Sequence, residues 1–388
     1  MSTKAGLERD MTAAGIIAEC NPFHEGHAYL IDQTRQKTNT DYVVVALSGD
    51  FVQRGIPAVM SWENRVGRIL EEGADLVIAL PLYAACSGAD YFARGGVALL
   101  EKMGVITDIV FGSESGDEEA LARTARALNS VSSKAEASGE FRENLRQAFR
   151  KGQTYADAVA SAAGEMPQHP NDLLGAHYIR ALNLSGSGIR PHAVKRIRCL
   201  SASERREQLL KEGRGVSEIP LLSAGDLSGQ LLHALLMEED LSVFLDVSKD
   251  LSNRIRSLLH EYRGWEEFAM QLKTRNLTYS HVSRALLHIL LGMRQDTMRM
   301  FDEKYGLCGW IRPLGMRRSA APLLKAMKGA ASVPFLDKLS TAGSRLTPEL
   351  YGVLMEEIRA EMLYDLSAAA ERTPQQVRSA FSKQIIMI

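Results

Sequence analysis

The sequence predicts an α/β fold, a parallel sheet whose strands alternate with helices, followed by a mainly helical half. Two observations carry this prediction. In the first 112 residues, four short apolar runs alternate with segments of helical spacing, which is typical of buried parallel strands. After about residue 201, apolar residues recur at helical spacing instead. We therefore expect two domains, at 12–200 and 201–388.

Each predicted element has its own local signal. Gly73 and Gly104 follow helical segments as C-terminal caps, and Pro81 ends an apolar run. Strands are predicted at Ala13–Cys20, Asp41–Leu47, Asp75–Leu80, Thr107–Phe111 and Ile189–Ile197. Helices are predicted at His27–Gln36, Trp62–Glu72, Ala89–Met103, Phe141–Tyr178 (interrupted near Gly164–Pro170), Gly225–Met237, Leu251–Tyr262, Tyr279–Met293, Leu346–Leu366 and Pro374–Gln384.

Composition excludes several classes of protein. The chain has 388 residues, with 46 Lys and Arg against 47 Asp and Glu, which excludes a uniformly basic nucleic-acid coat and an acidic disordered chain. The four cysteines are far apart and form no CxxC pair, so we expect free thiols in a reducing cytosol. No run approaches the roughly 18 apolar residues of a membrane helix, and the N-terminus has no apolar signal core. We expect a cytoplasmic protein without a membrane partner.

Ligands of parallel α/β sheets bind beyond the carboxyl ends of the strands. Those ends carry most of the unusual polar residues of the first half, in the loops Glu19–His27, Ser48–Gly55, Pro81–Gly88 and Gly112–Asp117.

The loop after the first strand reads Asn21-Pro22-Phe23-His24-Glu25-Gly26-His27 and leads into a predicted helix. Unpaired N–H groups and the helix dipole favour anions there. Gly26 allows a close approach, and the two histidines add donors for phosphate oxygens. Two alternatives stay open. The histidines could cap the helix without a ligand, or bind a metal, although HExxH sites need histidines four residues apart.

The H-x-G-H element and its surroundings resemble a known family. H-x-G-H after a first strand is typical of the superfamily of adenylyl-transferring enzymes that includes class I aminoacyl-tRNA synthetases. The segments "GIIAECNPFHEGHAYLI", "LSGDFVQRGIPAVMSWENRV", "GADLVIALPLYAACSGADYFARGGVALLEKMGV", "FGSESGD", "HPNDLLGAHYIRAL", "VKRI" and "KTRNLTYSHVSRALLHILLG" are similar, in order, to the bacterial tRNA(Met) cytidine acetate ligases.

This resemblance implies a Rossmann-like nucleotidyltransferase domain of the HIGH type and an ATP-dependent ligase. The family forms acetyl-adenylate from acetate and acetylates N4 of the wobble cytidine of elongator tRNA(Met), with Mg²⁺ expected alongside ATP. His24 and His27 would be catalytic. The residues implied to contact the nucleotide are Ile16, Ile17, Ala18, Glu19, Cys20, Asn21, Pro22, Phe23, His24, Glu25, Gly26, His27, Ala28, Tyr29, Gly112, Asn171, Arg196 and Ile197.

The chain also departs from the family pattern. Cys20 stands where an aromatic residue is usual, and Asp50 replaces an asparagine. A Tyr-His-Asp segment is missing after Arg196, and the family's Ser-Ala-Thr-x-x-Arg block is represented by Leu222–Gly229, without its arginine. Two other functions therefore stay open: an adenylyltransferase acting on a small metabolite, and a non-catalytic tRNA-binding relative.

Basic residues are concentrated in the second half. Residues 273–328 contain eleven Lys and Arg but three Asp and Glu, with aromatic residues and histidines between them. This composition suits a surface that follows RNA phosphates and stacks on bases. The predicted RNA-binding residues are Lys273, Arg275, Arg284, Arg317 and Arg318. The oligomeric state cannot be predicted from the sequence.

Overall fold

The strands of the protein form one large sheet and one small hairpin. A computed structural model describes residues 11–132, 169–213, 219–370 and 377–388. Its strands are β1 (Ala13–Ala18), β2 (Tyr42–Ser48), β3 (Phe51–Val52), β4 (Ile56–Pro57), β5 (Leu76–Leu80), β6 (Ile106–Ser113), β7 (Arg190–Lys195), β8 (Pro313–Met316) and β9 (Ile386–Met387).

Helices surround this sheet and continue through the second half. They are α1 (Glu25–Thr38), α2 (Trp62–Glu71), α3 (Leu82–Ala85), α4 (Ala89–Lys102), α5 (Glu118–Ser132), α6 (Pro170–Ser185), α7 (Ala202–Gly213), α8 (Ser228–Met237), α9 (Lys249–Leu258), α10 (Trp265–Leu272), α11 (Tyr279–Leu291), α12 (Gln295–Tyr305), α13 (Ala321–Ala330), α14 (Ala342–Arg345) and α15 (Pro348–Ala370).

The large sheet has the order β7-β6-β1-β2-β5-β8-β9. The first five strands in this order pair in parallel, while β8 is antiparallel to β5 and β9 is parallel to β8. Chain order reverses direction at β1, because β2 lies on one side of it and β6 on the other. Such a switch point is where doubly wound sheets bind ligands. The predicted α/β fold is confirmed.

Both faces of the sheet are buried, as the continuous apolar runs predict. Along β2, Val43 and Val45 pack in one cluster with Val66 of α2, whereas Val44 packs on the other face in a cluster with Phe92 of α4. Helices packed on both faces therefore hold the parallel strands in fixed positions. The loops that follow β1, β2, β5, β6 and β7 consequently share one edge, which we call the carboxyl edge.

The predicted helix Pro374–Gln384 is wrong over the residues that the structure describes. From residue 377 onward the chain makes one 3-10 turn, Ala380–Ser382, and then the strand β9. Pairing of β9 with β8 and the burial of Lys383 outweigh the helical spacing. Most of the predicted helix Phe141–Tyr178 falls outside the described residues, and its last part lies in α6.

Two strands from the predicted helical half belong to the sheet. Gly315 of β8 pairs with Val77 of β5, and Ile386 of β9 pairs with Gly315 in turn. The division at residues 200 and 201 remains a prediction, but the sheet itself crosses it.

Candidate functional site

The loop between β1 and α1 is held by two interlocked histidines. His24 caps α1: its Nδ1 accepts a hydrogen bond from the Gly26 N–H at 3.0 Å. In return, the His24 N–H donates to Nδ1 of His27 at 3.2 Å, and the two ring centroids are 4.0 Å apart. Since both Nδ1 atoms accept hydrogen bonds, each neutral ring carries its proton on Nε2. The sequence left open whether these histidines cap the helix or bind a ligand. Because each ring takes part in the cap through Nδ1 and can donate through Nε2–H, the two roles are compatible.

Burial keeps both rings neutral. Burial, helped by the neighbouring His24 and Arg196, lowers the pKa of His27 to about 3. Burial also lowers the pKa of His24, although Glu25 opposes the shift. Near neutral pH, the two rings therefore offer Nε2–H donors at the N-terminus of α1, where the helix dipole places partial positive charge. That combination suits a phosphate group.

Three predicted site residues from distant parts of the chain meet at the ends of β6 and β7. Glu114, just after β6, accepts a hydrogen bond from Asn171 Nδ2 at 2.6 Å and lies 3.3 Å from the Arg196 guanidinium. Gly112 lies under Arg196, because a Cβ added to Gly112 would be 3.4 Å from Arg196 Cγ. Glu114, which the sequence analysis does not single out within the loop Gly112–Asp117, therefore joins Asn171 to Arg196.

Asp172 fixes this arrangement from behind. It is buried and accepts hydrogen bonds from the backbone N–H groups of Glu114, at 2.9 Å, and Ser115. We refer to His24, His27, Glu114, Asn171 and Arg196 together as the edge site. The sequence analysis missed Asp172, although its position after Asn171 in the "PND" segment was visible.

The segment after β7 lies against the β1–α1 loop. Arg206 of α7 donates to the backbone oxygen of Asn21 at 3.0 Å. Ser201-Ala202-Ser203-Glu204-Arg205-Arg206 has the spacing of the family's Ser-Ala-Thr-x-x-Arg block, and it keeps the arginine. Leu222–Gly229 instead forms a capped 3-10 turn leading into α8. Ser201–Arg206 is therefore the better counterpart of that block, and the sequence analysis missed it.

The remaining residues of the predicted nucleotide segment are divided between strand and loop. Ile16, Ile17 and Ala18 belong to β1, and the first two are buried in the core. Cys20 is buried with a left-handed backbone, at φ 47°. The predicted segment continues through the loop and into the first turns of α1 as Asn21, Pro22, Phe23, Glu25, Gly26, Ala28 and Tyr29, and Ile197 is exposed after β7.

A buried arginine ties the ends of β1 and β2 together. Arg65 of α2 donates to the backbone oxygen of Glu19 at 2.7 Å and to that of Ser48 at 3.0 Å. The Glu19 side chain accepts the Gln53 N–H at 2.8 Å, and burial raises the pKa of this carboxyl. Arg65 thereby fixes the spacing of two loops at the carboxyl edge.

Arg65 belongs to a larger set of buried charges. Asp50 lies 3.8 Å from it, and Glu361 of α15 lies 3.0 Å from Arg312 and 2.9 Å from Lys383. We call these five residues the buried charge cluster. Burial, together with the Glu361 carboxylate, raises the pKa of Asp50 to about 7. Asp50 lines a cavity of about 30 Å³, and its Oδ2 has no hydrogen-bond partner among the described residues. Arg65 and Lys383 lower the pKa of Asp50 but do not outweigh burial and the Glu361 carboxylate, so the charge that replaces the family's asparagine is only partly compensated.

The predicted RNA-binding residues fall into two groups. Lys273 and Arg275 are exposed in the loop before α11, and Arg284 of α11 lies 3.5 Å from Asp246. This helix contacts the carboxyl edge, since the Ser283 hydroxyl donates to the Gly55 oxygen at 2.8 Å.

Arg317 and Arg318 lie at the opposite edge. The Arg317 N–H donates to the oxygen of Asp75, which precedes β5. The Arg317 guanidinium donates to the Leu70 oxygen at 2.8 and 3.0 Å, so it caps the end of α2. Arg318 is exposed.

Three further observations bear on the chemistry. The cysteines, Cys20, Cys86, Cys199 and Cys308, are free thiols, as expected. Within the described ranges, no group of three or more His, Cys, Asp or Glu side chains could hold a metal ion. None of the helices in these ranges is long and apolar enough to span a bilayer.

The sheet order and the interlocked histidines define a nucleotidyltransferase of the HIGH type. In agreement, the HIGH Nucleotidyl Transferase family model matches residues 11–212 and 221–379. A tRNA(Met) cytidine acetate ligase from Fervidobacterium nodosum is 30% identical over 91% of this chain and 88% of its own length. One from Bacillus velezensis is 30% identical over 85% and 88%. The chain belongs to the tRNA(Met) cytidine acetate ligase family.

A solved structure extends the likeness to the whole fold. Thermotoga maritima TmcAL bound with alpha-thio ATP superimposes with a TM-score of 0.86 and 26% sequence identity. The match covers 97% of this chain and all of that one. The fold and the family expected from the sequence are thereby confirmed.

Proposed function

We propose that this protein activates acetate with ATP and transfers the acetyl group to N4 of the wobble cytidine of elongator tRNA(Met). The observation that carries the proposal is the interlocked pair His24 and His27, whose Nε2–H groups stand beside the N-terminus of α1. Membership of the ligase family supports the substrates. The nucleotide-bound state of the Thermotoga maritima relative supports ATP.

In the first step, an acetate oxygen attacks the α-phosphorus and pyrophosphate leaves with the electron pair of the broken bond. Protein groups need only align the reactants and stabilise the spreading negative charge. His24 and His27 would do so as neutral Nε2–H donors at the positive end of the α1 dipole. Ser203 and Arg206 at the start of α7 would contact the phosphate tail, since Arg206 already reaches Asn21.

The nucleoside end of ATP would lie toward β6 and β7. Asn171 and Arg196, joined by Glu114, offer hydrogen-bond donors and a planar guanidinium for a base or ribose. Mg²⁺ would be carried by the phosphates of ATP, because such ions keep several waters and few protein ligands. Glu114 and Asp50 are both engaged in protein contacts.

In the second step, N4 of cytidine attacks the acetyl carbon, AMP leaves with the electron pair of the broken C–O bond, and N4 releases one proton to solvent. The RNA would approach over Lys273, Arg275 and Arg284, because α11 contacts the carboxyl edge. Arg317 and Arg318 at the other edge are proposed as a second contact, within reach of a molecule as long as a tRNA.

The test separates the two steps. Acetate-dependent exchange of labelled pyrophosphate into ATP measures adenylate formation, and labelled acetate with unmodified elongator tRNA(Met) measures transfer. We expect both activities, with no product from a tRNA whose wobble base is uridine. Exchange with another acceptor but not with acetate would indicate an adenylyltransferase for a small metabolite. Salt-sensitive tRNA binding without ATP binding would indicate a non-catalytic relative.

A further inference from the structure

An ion pair connects the first turn of α1 to α7. Arg205 Nη2 lies 3.0 Å from one oxygen of Glu25 and 3.1 Å from the other, so the carboxylate is held through both oxygens. Both side chains are exposed, by 37% and 46%. Glu25 follows the capping residue His24 directly. Its carboxylate is therefore an anion supplied by the protein itself beside the proposed phosphate site.

The chain around this pair covers the N-terminus of α1. A Cβ added to Gly26 would lie 3.2 Å from Cys199 Sγ, so the segment after β7 reaches the first turn of α1. Next to it is a cavity of about 430 Å³, which Phe23, His24, Glu25 and Arg205 help to line. Ligand pockets are commonly of roughly this size. Asn64 and Arg68 of α2 line the same cavity, so there is room for a polyanion between α1, α2 and α7.

An exposed ion pair is easily exchanged. Pairs of this kind contribute little to folding and are screened by salt. A phosphate group accepts the planar arginine fork through two oxygens and carries more charge than a carboxylate. A triphosphate at α1 would also repel the Glu25 carboxylate. Both effects favour moving Arg205 from Glu25 to the nucleotide.

We propose that Arg205 binds the β- and γ-phosphates of ATP, and that Glu25 is its partner only while the nucleotide is absent. This inference rests on the proposed function, because it assumes that ATP binds at the edge site. Nucleotide binding replaces the Glu25–Arg205 pair with an Arg205–phosphate pair, and the Glu25 side chain turns into solvent. Glu25 thereby lowers affinity for ATP and restricts the site to ligands that bring several phosphate charges.

Calorimetric titration of the full chain with a non-hydrolysable ATP analogue tests the exchange. We expect Glu25→Gln to tighten binding about 3- to 10-fold, since it removes both the competing partner and the repulsion. Arg205→Gln should weaken binding about 10-fold. AMP, which lacks the β- and γ-phosphates, should bind all variants equally. Glu267→Gln, which breaks the exposed pair of Glu267 with Arg263 at 3.9 Å, is the matched control and should change nothing.

The double variant distinguishes exchange from simple repulsion. If Glu25 holds Arg205 at rest, Arg205→Gln should weaken binding about 2- to 5-fold more in the Glu25→Gln background than in the wild type. An equal effect in both backgrounds would overturn the exchange. So would a crystal of the analogue complex in which Arg205 still contacts Glu25.

The inference and the proposed function fail in different ways. A wild-type protein that binds no ATP analogue contradicts both of them. A wild-type protein that binds the analogue, with Glu25→Gln and Arg205→Gln unchanged, contradicts only the exchange.

Discussion

The edge site and the buried charge cluster use the same kinds of side chain under different conditions. In the cluster, Glu361 is buried and meets Trp62 Nε1, Arg312 and Lys383, so this carboxylate has several fixed partners. At the edge site, Arg196 and Glu114 are partly exposed and share a single contact at 3.3 Å. Buried charges with several partners make a rigid support, whereas exposed pairs can exchange partners with a ligand.

The two regions are physically connected. Arg65 belongs to the cluster, and its guanidinium also holds the oxygens of Glu19 and Ser48 at the carboxyl edge. We infer that the cluster keeps the loops of the carboxyl edge in place, while the side chains of the edge site remain available to a ligand. The four predictions below test this division of roles, from the largest expected effect to the smallest.

Removing the central carboxylate of the cluster should strongly destabilise the fold. Glu361→Gln removes the carboxylate that Arg312 and Lys383 share. Glu357 and Asp365 still lie beside these two cations, so we expect a loss of about 3 kcal/mol, the lower end of the cost of breaking a buried pair. Urea denaturation measures the free energy of unfolding. Glu349→Gln is the control, because it breaks an exposed pair with Lys304 and should cost less than about 1 kcal/mol. Similar losses for both variants would contradict the contrast between the regions.

Changes at the edge site should affect chemistry more than stability. His24→Ala or His27→Ala removes one donor and half of the interlocked cap. We expect acetate-dependent pyrophosphate exchange to fall on the order of 10²- to 10³-fold, equivalent to about 3 kcal/mol. The cap itself contributes only about 1 kcal/mol to stability. Affinity for tRNA should remain; if it falls as far as exchange does, these histidines are structural.

Much of this arrangement could be predicted from the sequence, because it depends on local signals. All five strands of the parallel part of the sheet were predicted, four of them from short apolar runs that are followed by turn-forming residues. The first loop was predicted because its histidines are adjacent to a helix start. The strand β8, Pro313–Met316, was missed, since proline and glycine disfavour strands and only pairing with β5 stabilises it.

The missed site residues share one physical property. Glu114, Asp172 and Arg206 act through contacts with residues far away in the chain, which spacing along the sequence does not reveal. Arg312 shows the opposite error, in which counting charges along the sequence suggests a surface role. It counts toward the basic segment 273–328, yet it is buried against Glu361. Local charge counts include side chains that the fold has already neutralised.

Asp50 gives the cluster a pH dependence. Burial raises its pKa to about 7, whereas an aspartate in an unfolded chain titrates near 4. Its stabilising contribution is therefore present below about pH 4 and is lost as the pH rises through 7. Asp50→Asn does not titrate. Between pH 5 and 8, the free energy of unfolding of the Asp50→Asn variant minus that of the wild type should therefore rise by roughly 2 kcal/mol. A difference independent of pH would contradict this assignment.

The smallest effects are expected at the exposed basic residues. Lys273→Ala and Arg275→Ala should each lower the slope of log binding constant against log salt for tRNA by about one unit, without changing stability. Arg318→Ala tests the second proposed contact in the same way. Arg317→Ala should also lower stability by about 1–2 kcal/mol, because it removes the cap of α2. Unchanged slopes for all four variants would exclude both surfaces.

The late position of β8 in the chain has a consequence for synthesis on the ribosome. β5 needs its antiparallel neighbour from about 240 residues downstream, where Gly315 pairs with Val77. At a translation rate of about 5–20 residues per second, one edge of this apolar strand remains unpaired for roughly 10–50 s until β8 is synthesised. Unpaired strand edges invite aggregation. We expect the emerging chain to depend on chaperone binding, and slower translation before residue 313 to reduce the yield of active protein.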